Sequence, residues 1–452
     1  MKSITLKISL LLSTAIMLSA CDNYLDKKPD QRLVVPTTLK DAQAMLDDPD
    51  MLQGDMGAGE VSSDDYYLED ATFFGLPESA RRMYLWEKDH IFEPSFNDWR
   101  NLYDRVYVAN AVLETLAAIE KTQHNAHEWD NVKGQALFFR AHFFLQGVFI
   151  WGNAYDAETA STDLGIPLRL DTDYAKKSTR STVEETYMQV IKDLTEASEL
   201  LPDNQIAVSR PSKTAAYGLL ARTYLAMRDY ERAGEYADLY LKQHDQLMDF
   251  NALSESAAYP IKQLNEEVVF ESRMSIPRPL LPANARIILS LYNSYHNDDL
   301  RKSIFFVKNP NGTFTFKGSY EGALLLFSGV STNEMYLVRA ECHVRNGNLV
   351  DGLADLRSLM TKRWRSTSAS MPYQDSEFDE KTLLGRILSE RRKELLFRGL
   401  RWMDIKRLNK EGYDINLSRT IDNQQYTLPA NDLGYALPIP DDIIAVSGIE
   451  QN

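Results

Sequence analysis

Residues 62–70 read SSDDYYLED, two carboxylates set against two phenol rings in a stretch with no helical period. Asp64, Asp65, Tyr66 and Tyr67 are followed by Phe73, Phe74, Tyr84 and Trp86. A flat aromatic face can stack on a ring-shaped ligand, while carboxylates, amides and guanidinium groups take its polar groups. A second aromatic stretch carries Tyr292, Asn293, Tyr295 and Tyr320. The composition suits a stacking platform assembled from both stretches, with part of these rings spent on core. Trp99, Trp151 and Trp402 fall within helical motifs and read as packing.

Other reactive groups point to less. The chain lacks HExxH, a GxSxG elbow, a phosphate loop and a dinucleotide fingerprint, so no catalytic residue and no cofactor is assigned. With 65 carboxylates, a glycosidase pair stays open as a minor alternative. His124 and His127 stand three apart with no second cluster, and no metal site is assigned. Cys342, in Glu341-Cys342-His343, reads as a small buried hydrophobe. The block Glu390–Arg407 holds seven basic and three acidic residues. Glu390 with Lys393 and Glu394 with Arg398 are at helical reach, so a helix laced with ion pairs is the reading. A formal net charge of −15 argues against nucleic acid as a partner and against broad adhesion to anionic lipid.

The other cysteine, Cys21, follows a basic start (Lys2, Lys7) and the apolar run Ile8–Met17. That run has signal-peptide length, and no other segment is apolar for the ~20 residues that span a bilayer. Leu18-Ser19-Ala20-Cys21 resembles the bacterial lipoprotein signal, which implies that Cys21 is acylated and anchors the mature chain. Residues 1–20 are then a leader and 21–45 a tether.

The elements that must position these groups are mostly helices. Trp99–Ile119 carries one apolar stripe, and Asn131–Trp151 is apolar on nearly every side, as a helix sandwiched between others would be. A third helix opens at Ser181, with Glu184 three residues on as a capping-box signal. Residues 212–241 read as two short helices meeting at Arg228-Asp229, like a tetratricopeptide hairpin of about 34 residues. In one ungapped register Tyr217 falls on Tyr336, Ala221 on Ala340, Tyr230 on Leu349 and Ala233 on Gly352, a second copy. The expected fold is mainly α, a tetratricopeptide-like helical-repeat scaffold with loop-rich insertions forming the ligand face. The scaffold occupies 98–250 and, with the charged helix, 331–408; 409–452 closes the chain. Residues 46–97 and 251–330 are the insertions, and long irregular insertions on rigid scaffolds are where binding sits.

Several motifs occur together in one order. They include CDNYLDKKP behind the lipobox, WRNLYDRVYVANAVLE at 99–114 and GQALFFRAHFFLQGVFIWGNAY at 134–155. MYLVRAECHVRNGNLVDGLADLRSL follows at 335–359, SERRKELLFRGLRWMDIKRL at 389–408, and LPIPDDII with GIEQN at the end. In these the chain resembles the SusD/RagB family of Bacteroidetes surface lipoproteins. The resemblance implies a non-enzymatic outer-membrane protein that captures oligosaccharide and passes it to a SusC-like TonB-dependent transporter. Some members take peptides, so peptide or glycopeptide capture is the alternative.

Overall fold

The computed structural model describes residues 36–369, 371–373 and 378–452. The leader, Cys21 and most of the tether lie outside the described residues.

Apolar side chains recurring every three or four positions give a helix one face to bury, and consecutive helices close on each other. This pattern builds α1 (Leu39–Leu46), α2 (Asp98–Ala117), α3 (Ala126–Trp151), α4 (Val183–Leu200), α5 (Lys213–Met227) and α6 (Tyr230–Gln243). After a long interruption come α7 (Thr332–Arg345), α8 (Leu349–Arg363), α9 (Glu380–Glu394) and α10 (Arg401–Asn409). From α2 to α6 each helix packs on the next, and α6 packs directly on α7. The tetratricopeptide-like scaffold is thus one continuous row, as stacked repeats require. The all-round apolar helix α3 is buried from Gly134 almost to its end, between α2 and α4. Trp99 and Trp151 meet edge to face there, ring centroids 4.9 Å apart.

The two repeat copies share their turns. Arg228 and Gly347 take the same left-handed place (φ 63° and 80°), and Asp229 and Asn348 cap the helices that follow. The copies stack through Gly234, where a β-carbon would stand 3.0 Å from Cys342 Cβ. Cys342 is fully buried at that contact, and burial pushes its thiol far up, so it is a packing residue. One boundary differs from the sequence reading. The capping box of α4 uses Thr182 and Glu185, not Ser181 and Glu184; Thr182 Oγ1 accepts from Glu185 N at 3.0 Å. Ser181 is held instead by backbone pairing with Gly165 and Ile166, which leaves the next residue to start the helix.

The interruption between α6 and α7 is closed at its root by antiparallel pairs of short strands. With β1 as Tyr66–Tyr67, the later strands are β2 (Val268–Phe270), β3 (Arg273–Met274), β4 (Arg286–Ile287), β5 (Phe306–Lys308), β6 (Phe314–Phe316), β7 (Leu326–Phe327) and β8 (Val330–Ser331). β2 pairs with β8 and β3 with β7, so the segment leaves and rejoins the helical row at one place. β1 pairs with β4, Tyr66 opposite Ile287 and Tyr67 opposite Arg286. That pairing joins the two insertions into one body with its own core, including Val61, Tyr66, Tyr84, Ile287, Tyr295 and Tyr320. A hairpin of β9 (Leu417–Ile421) and β10 (Gln424–Leu428) packs beside it.

The charged block is not one helix. Phe397 and Gly399 take positive φ (57° and 73°) and break it into α9 and α10. Glu390 does reach Lys393, at 2.5 Å. Glu394, however, does not pair with Arg398; it binds Arg363 at 2.9 Å and Arg301 at 3.0 Å. The break turns Arg398 away, over the Tyr320 ring at 3.8 Å and onto Ser331 Oγ at 2.9 Å. The ion pairs are mostly buried and many reach distant elements rather than running along a solvated helix.

Candidate functional site

The structure distributes the ten candidate ligand residues unevenly. Tyr66 and Tyr84 are in the insertion core: Tyr66 donates to Val61 O at 2.8 Å, and Leu68 N donates to the Tyr84 hydroxyl at 3.0 Å. The Arg419 guanidinium lies 3.6 Å over Tyr84 and 4.6 Å over half-buried Trp86, whose Nε1 donates to Ser62 O at 3.0 Å. Tyr295 and Tyr320 are also interior, because their hydroxyls belong to the buried polar seam under α9. Tyr295 donates to Lys393 O at 2.8 Å and Tyr320 to Glu267 Oε2 at 2.5 Å. These four phenol rings have no face toward solvent, which corrects the expectation that they stack on ligand.

Asp64 and Asp65 are equally committed. Arg401 Nε meets Asp64 Oδ1 at 2.7 Å, and Arg392 Nη2 meets Asp64 Oδ2 at 3.0 Å. Burial works against ionisation, but Arg401 and Arg392 hold the Asp64 carboxyl at about 2. Asp65 takes Arg392 Nε at 2.7 Å, yet burial raises its carboxyl above the usual range, with the Asp64 charge adding to the rise. Both carboxylates tie the first insertion to α9 and α10. Besides half-buried Trp86, three candidates reach the surface. Tyr67 is 37% exposed, Asn293 is exposed, and Tyr292 is half-buried, stacked on Phe314. Near Tyr67, Arg286 pairs with Glu69 at 3.4 Å and Asn311 donates to Glu69 at 3.2 Å, so β1, β4 and the β5–β6 turn share one polar rim.

The concave feature at the seam of the two insertions uses other residues. A cleft of about 240 Å³ has Met83, Phe92, Phe96, Asn97 and Asp98 on one wall and Pro277-Arg278-Pro279 on the other. Phe96 is 80% exposed, with the Arg100 guanidinium 5.0 Å over its ring. Asn97 caps α2, accepting from Arg100 N at 3.1 Å, and donates to Glu93 O at 2.8 Å. Asp98 accepts from Ala58 N at 2.8 Å, and burial pushes its carboxyl up to about 6. Arg278 is exposed at the mouth and makes no side-chain hydrogen bond or ion pair among the described residues. The loop carrying Phe96 is pinned from outside: Asp441 accepts from His90 N at 2.9 Å and Asp442 from Ser95 N at 3.1 Å. An exposed ring, an amide, carboxyl groups and a free guanidinium on a fixed frame are the parts that hold a polyhydroxylated ligand.

A family model described as "Starch-binding associating with outer membrane" matches residues 23–225, and the SusD family model matches 332–452. The chain belongs to the SusD family. SusD-like protein P2 of Formosa agariphila is 28% identical over 143 residues, a match spanning 32% of this chain and 26% of that relative's length. A putative sugar binding protein from Bacteroides vulgatus superposes with a TM-score of 0.75 at 20% identity, over 93% of this chain and 99% of its own. A SusD superfamily protein from Bacteroides thetaiotaomicron gives 0.74 at 22% identity, over 92% and 99%. At these identities the superpositions establish the SusD fold.

Within this SusD-family chain, the residues that sequence reasoning missed sit just ahead of α2. Pro94-Ser95-Phe96-Asn97 places an aromatic in a turn between a proline and a helix cap, where no helix face can bury it. Pro277-Arg278-Pro279 is the same kind of signal, a rigid turn presenting one long cation.

Proposed function

We propose that this protein is a lipid-anchored, non-catalytic subunit at the outer-membrane surface that captures oligosaccharide and delivers it to a SusC-like TonB-dependent transporter. The observation that carries the reading is the cleft where residues 46–97 and 251–330 meet, with exposed Phe96 between Asn97, Asp98 and Arg278. The family description, the carbohydrate-binding names of structural neighbours and the lipobox at Cys21 support it. The helical row supplies the rigid frame, and Tyr67, Tyr292 and Asn293 extend the ligand face along its rim.

The test is retention of the full chain by a panel of polysaccharides, with released reducing sugar assayed in parallel. Retention without cleavage is expected, and Phe96→Ala should weaken it by about 1–3 kcal/mol, the scale of stacking on one ring. Phe96 is exposed, so its removal leaves the fold intact. Cleavage of the bound glycan overturns the non-catalytic role. Binding of peptides and of no glycan selects the peptide alternative, and unchanged affinity in Phe96→Ala moves the site elsewhere.

A further inference from the structure

Beside the cleft, between α2 and residues 167–178, lies a larger groove of about 560 Å³. That is within the roughly 300–1,000 Å³ of ordinary small-ligand pockets. The cleft around Phe96 shares only Asn97 with it. We infer that this groove is an extension subsite for the neutral sugar residues of a longer oligosaccharide, with Tyr107 and Tyr174 as its stacking faces.

Three observations select that occupant. The first is charge. Arg100, Arg169 and Lys176 are balanced by Asp104, Asp171 and Asp442 along the lining, and most of them already have partners. Arg100 Nε meets Asp104 at 3.1 Å, Lys176 Nζ meets Asp171 at 2.5 Å, and Arg169 Nη1 donates to Lys176 O at 2.7 Å. An ionic ligand would have to break these pairs, whereas hydroxyl groups can add to their remaining lone pairs and protons.

The second is the pair of rings. Tyr174 is 95% exposed and Tyr107 53% exposed, and neither makes a hydrogen bond or ring contact among the described residues. The loop under Tyr174 is nonetheless fixed: Thr172 N donates to Glu114 at 2.8 Å, Asp173 N to Asp171 at 3.0 Å and Ala175 N to Asp173 at 2.9 Å. A large ring held out on a rigid turn is preorganised for a partner outside the chain.

The third is continuity. Asn97 lines both the cleft and the groove, so a chain seated on Phe96 can run across it toward Tyr107. Occupying both places at once raises apparent affinity with ligand length without any change in either contact.

This inference rests on the glycan reading above, and the experiment separates the two. The full chain is run by affinity electrophoresis against starch, xylan, mixed-linkage β-glucan and galactomannan. Size-graded fragments of whichever is retained are then titrated into the unaltered chain, Tyr107→Ala/Tyr174→Ala and Phe96→Ala. The expected result is about a tenfold loss for each ring, about a hundredfold for long fragments in the double tyrosine variant, with short fragments unaffected. Phe96→Ala should lose affinity for both lengths. Retention by none of the four overturns the glycan reading and the groove with it. Retention with no length-dependent loss in the tyrosine variant overturns the groove alone. A tyrosine variant that binds glycan normally but no longer copurifies with an outer-membrane transporter also overturns it, since the surface would then serve a protein. Tyr174→Ala by itself, which removes a ring 95% exposed and without a hydrogen bond or ring contact among the described residues, guards against any effect of folding.

Discussion

Along α3, Phe138, Phe143, Phe144 and Val148 are buried among apolar neighbours, whereas beneath the insertions Arg301, Arg363, Glu267 and Glu394 are buried among one another. Apolar packing accepts any partner of the right shape, so the helical row is specified by period and volume. A buried guanidinium accepts only a carboxylate in the right place, since the desolvation cost is met only by good geometry. Arg363 reaches Glu394 at 2.9 Å and Glu267 at 2.6 Å, and Asn333 donates to Glu394 at 2.7 Å. The seam therefore fixes one arrangement of the insertion body on the row, which is what a ligand face of fixed shape needs.

The largest effect expected is from breaking that seam. Arg363→Ala leaves Glu267 and Glu394 buried with less counter-charge and should cost about 3–5 kcal/mol in denaturant unfolding. Phe144→Ala, in the row, should cost a similar ~3–5 kcal/mol through its cavity. The two differ in rescue. Adding Glu267→Gln to Arg363→Ala removes the stranded charge, since Glu394 keeps Arg301 at 3.0 Å, and should return part of the loss, while the Phe144 cavity has no such partner. A loss below about 1 kcal/mol for Arg363→Ala would show that the seam is not what holds the insertions.

The same contrast explains what was legible in the sequence. The row, its repeat and its turns follow from local spacing, and Tyr217 on Tyr336 and Ala221 on Ala340 were enough to find the second copy. The proposed ligand face is legible only as a pair of segments, 46–97 and 251–330. Which aromatic faces solvent depends on partners hundreds of residues away. Arg419 covers Tyr84, and Arg398 covers Tyr320. Asp64 and Asp65 looked like ligands for hydroxyls because their own ligands, Arg392 and Arg401, stand on distant helices. Phe96 shows the converse: the turn Pro94-Ser95-Phe96-Asn97 keeps its ring off any helix face, but that it stands opposite Arg278 is a tertiary fact.

A smaller effect should come from a second polar contact in the insertion body. Gln263 donates to both Glu271 and Glu321, at 3.2 Å and 3.1 Å. Glu271 Oε2 and Glu321 Oε1 are buried with no hydrogen-bond partner among the described residues. Burial, then the charge of Glu271, pushes Glu321 up to about 8 from an ordinary 4.5. The folded chain thus keeps a proton that the unfolded chain releases. Stability should fall as pH rises from 4.5 to about 8 and level off beyond. Glu321→Gln keeps a donor in place and should flatten that slope in thermal melts, making the variant the more stable form at pH 8. An unchanged slope would mean that Glu321 does not hold this proton in the folded chain.

The smallest effect lies in the row, at the start of α4, and it separates pattern from geometry. Ser181 and Glu184 have capping-box spacing, as do Thr182 and Glu185, and spacing alone cannot choose between them. Backbone pairing does: Ser181 is bonded through its N–H to Ile166 O and through its C=O to Gly165 N, an extended conformation that delays the helix by one residue. Thr182 then accepts from Glu185 N, and Glu185 Oε2 accepts from Thr182 N at 2.8 Å. Thr182→Ala should cost about 1 kcal/mol, and Ser181→Ala close to nothing. The reverse order in denaturant midpoints would mean that the helix starts where its sequence signal first allows, and that the contact with residues 165–166 follows from the cap rather than setting it.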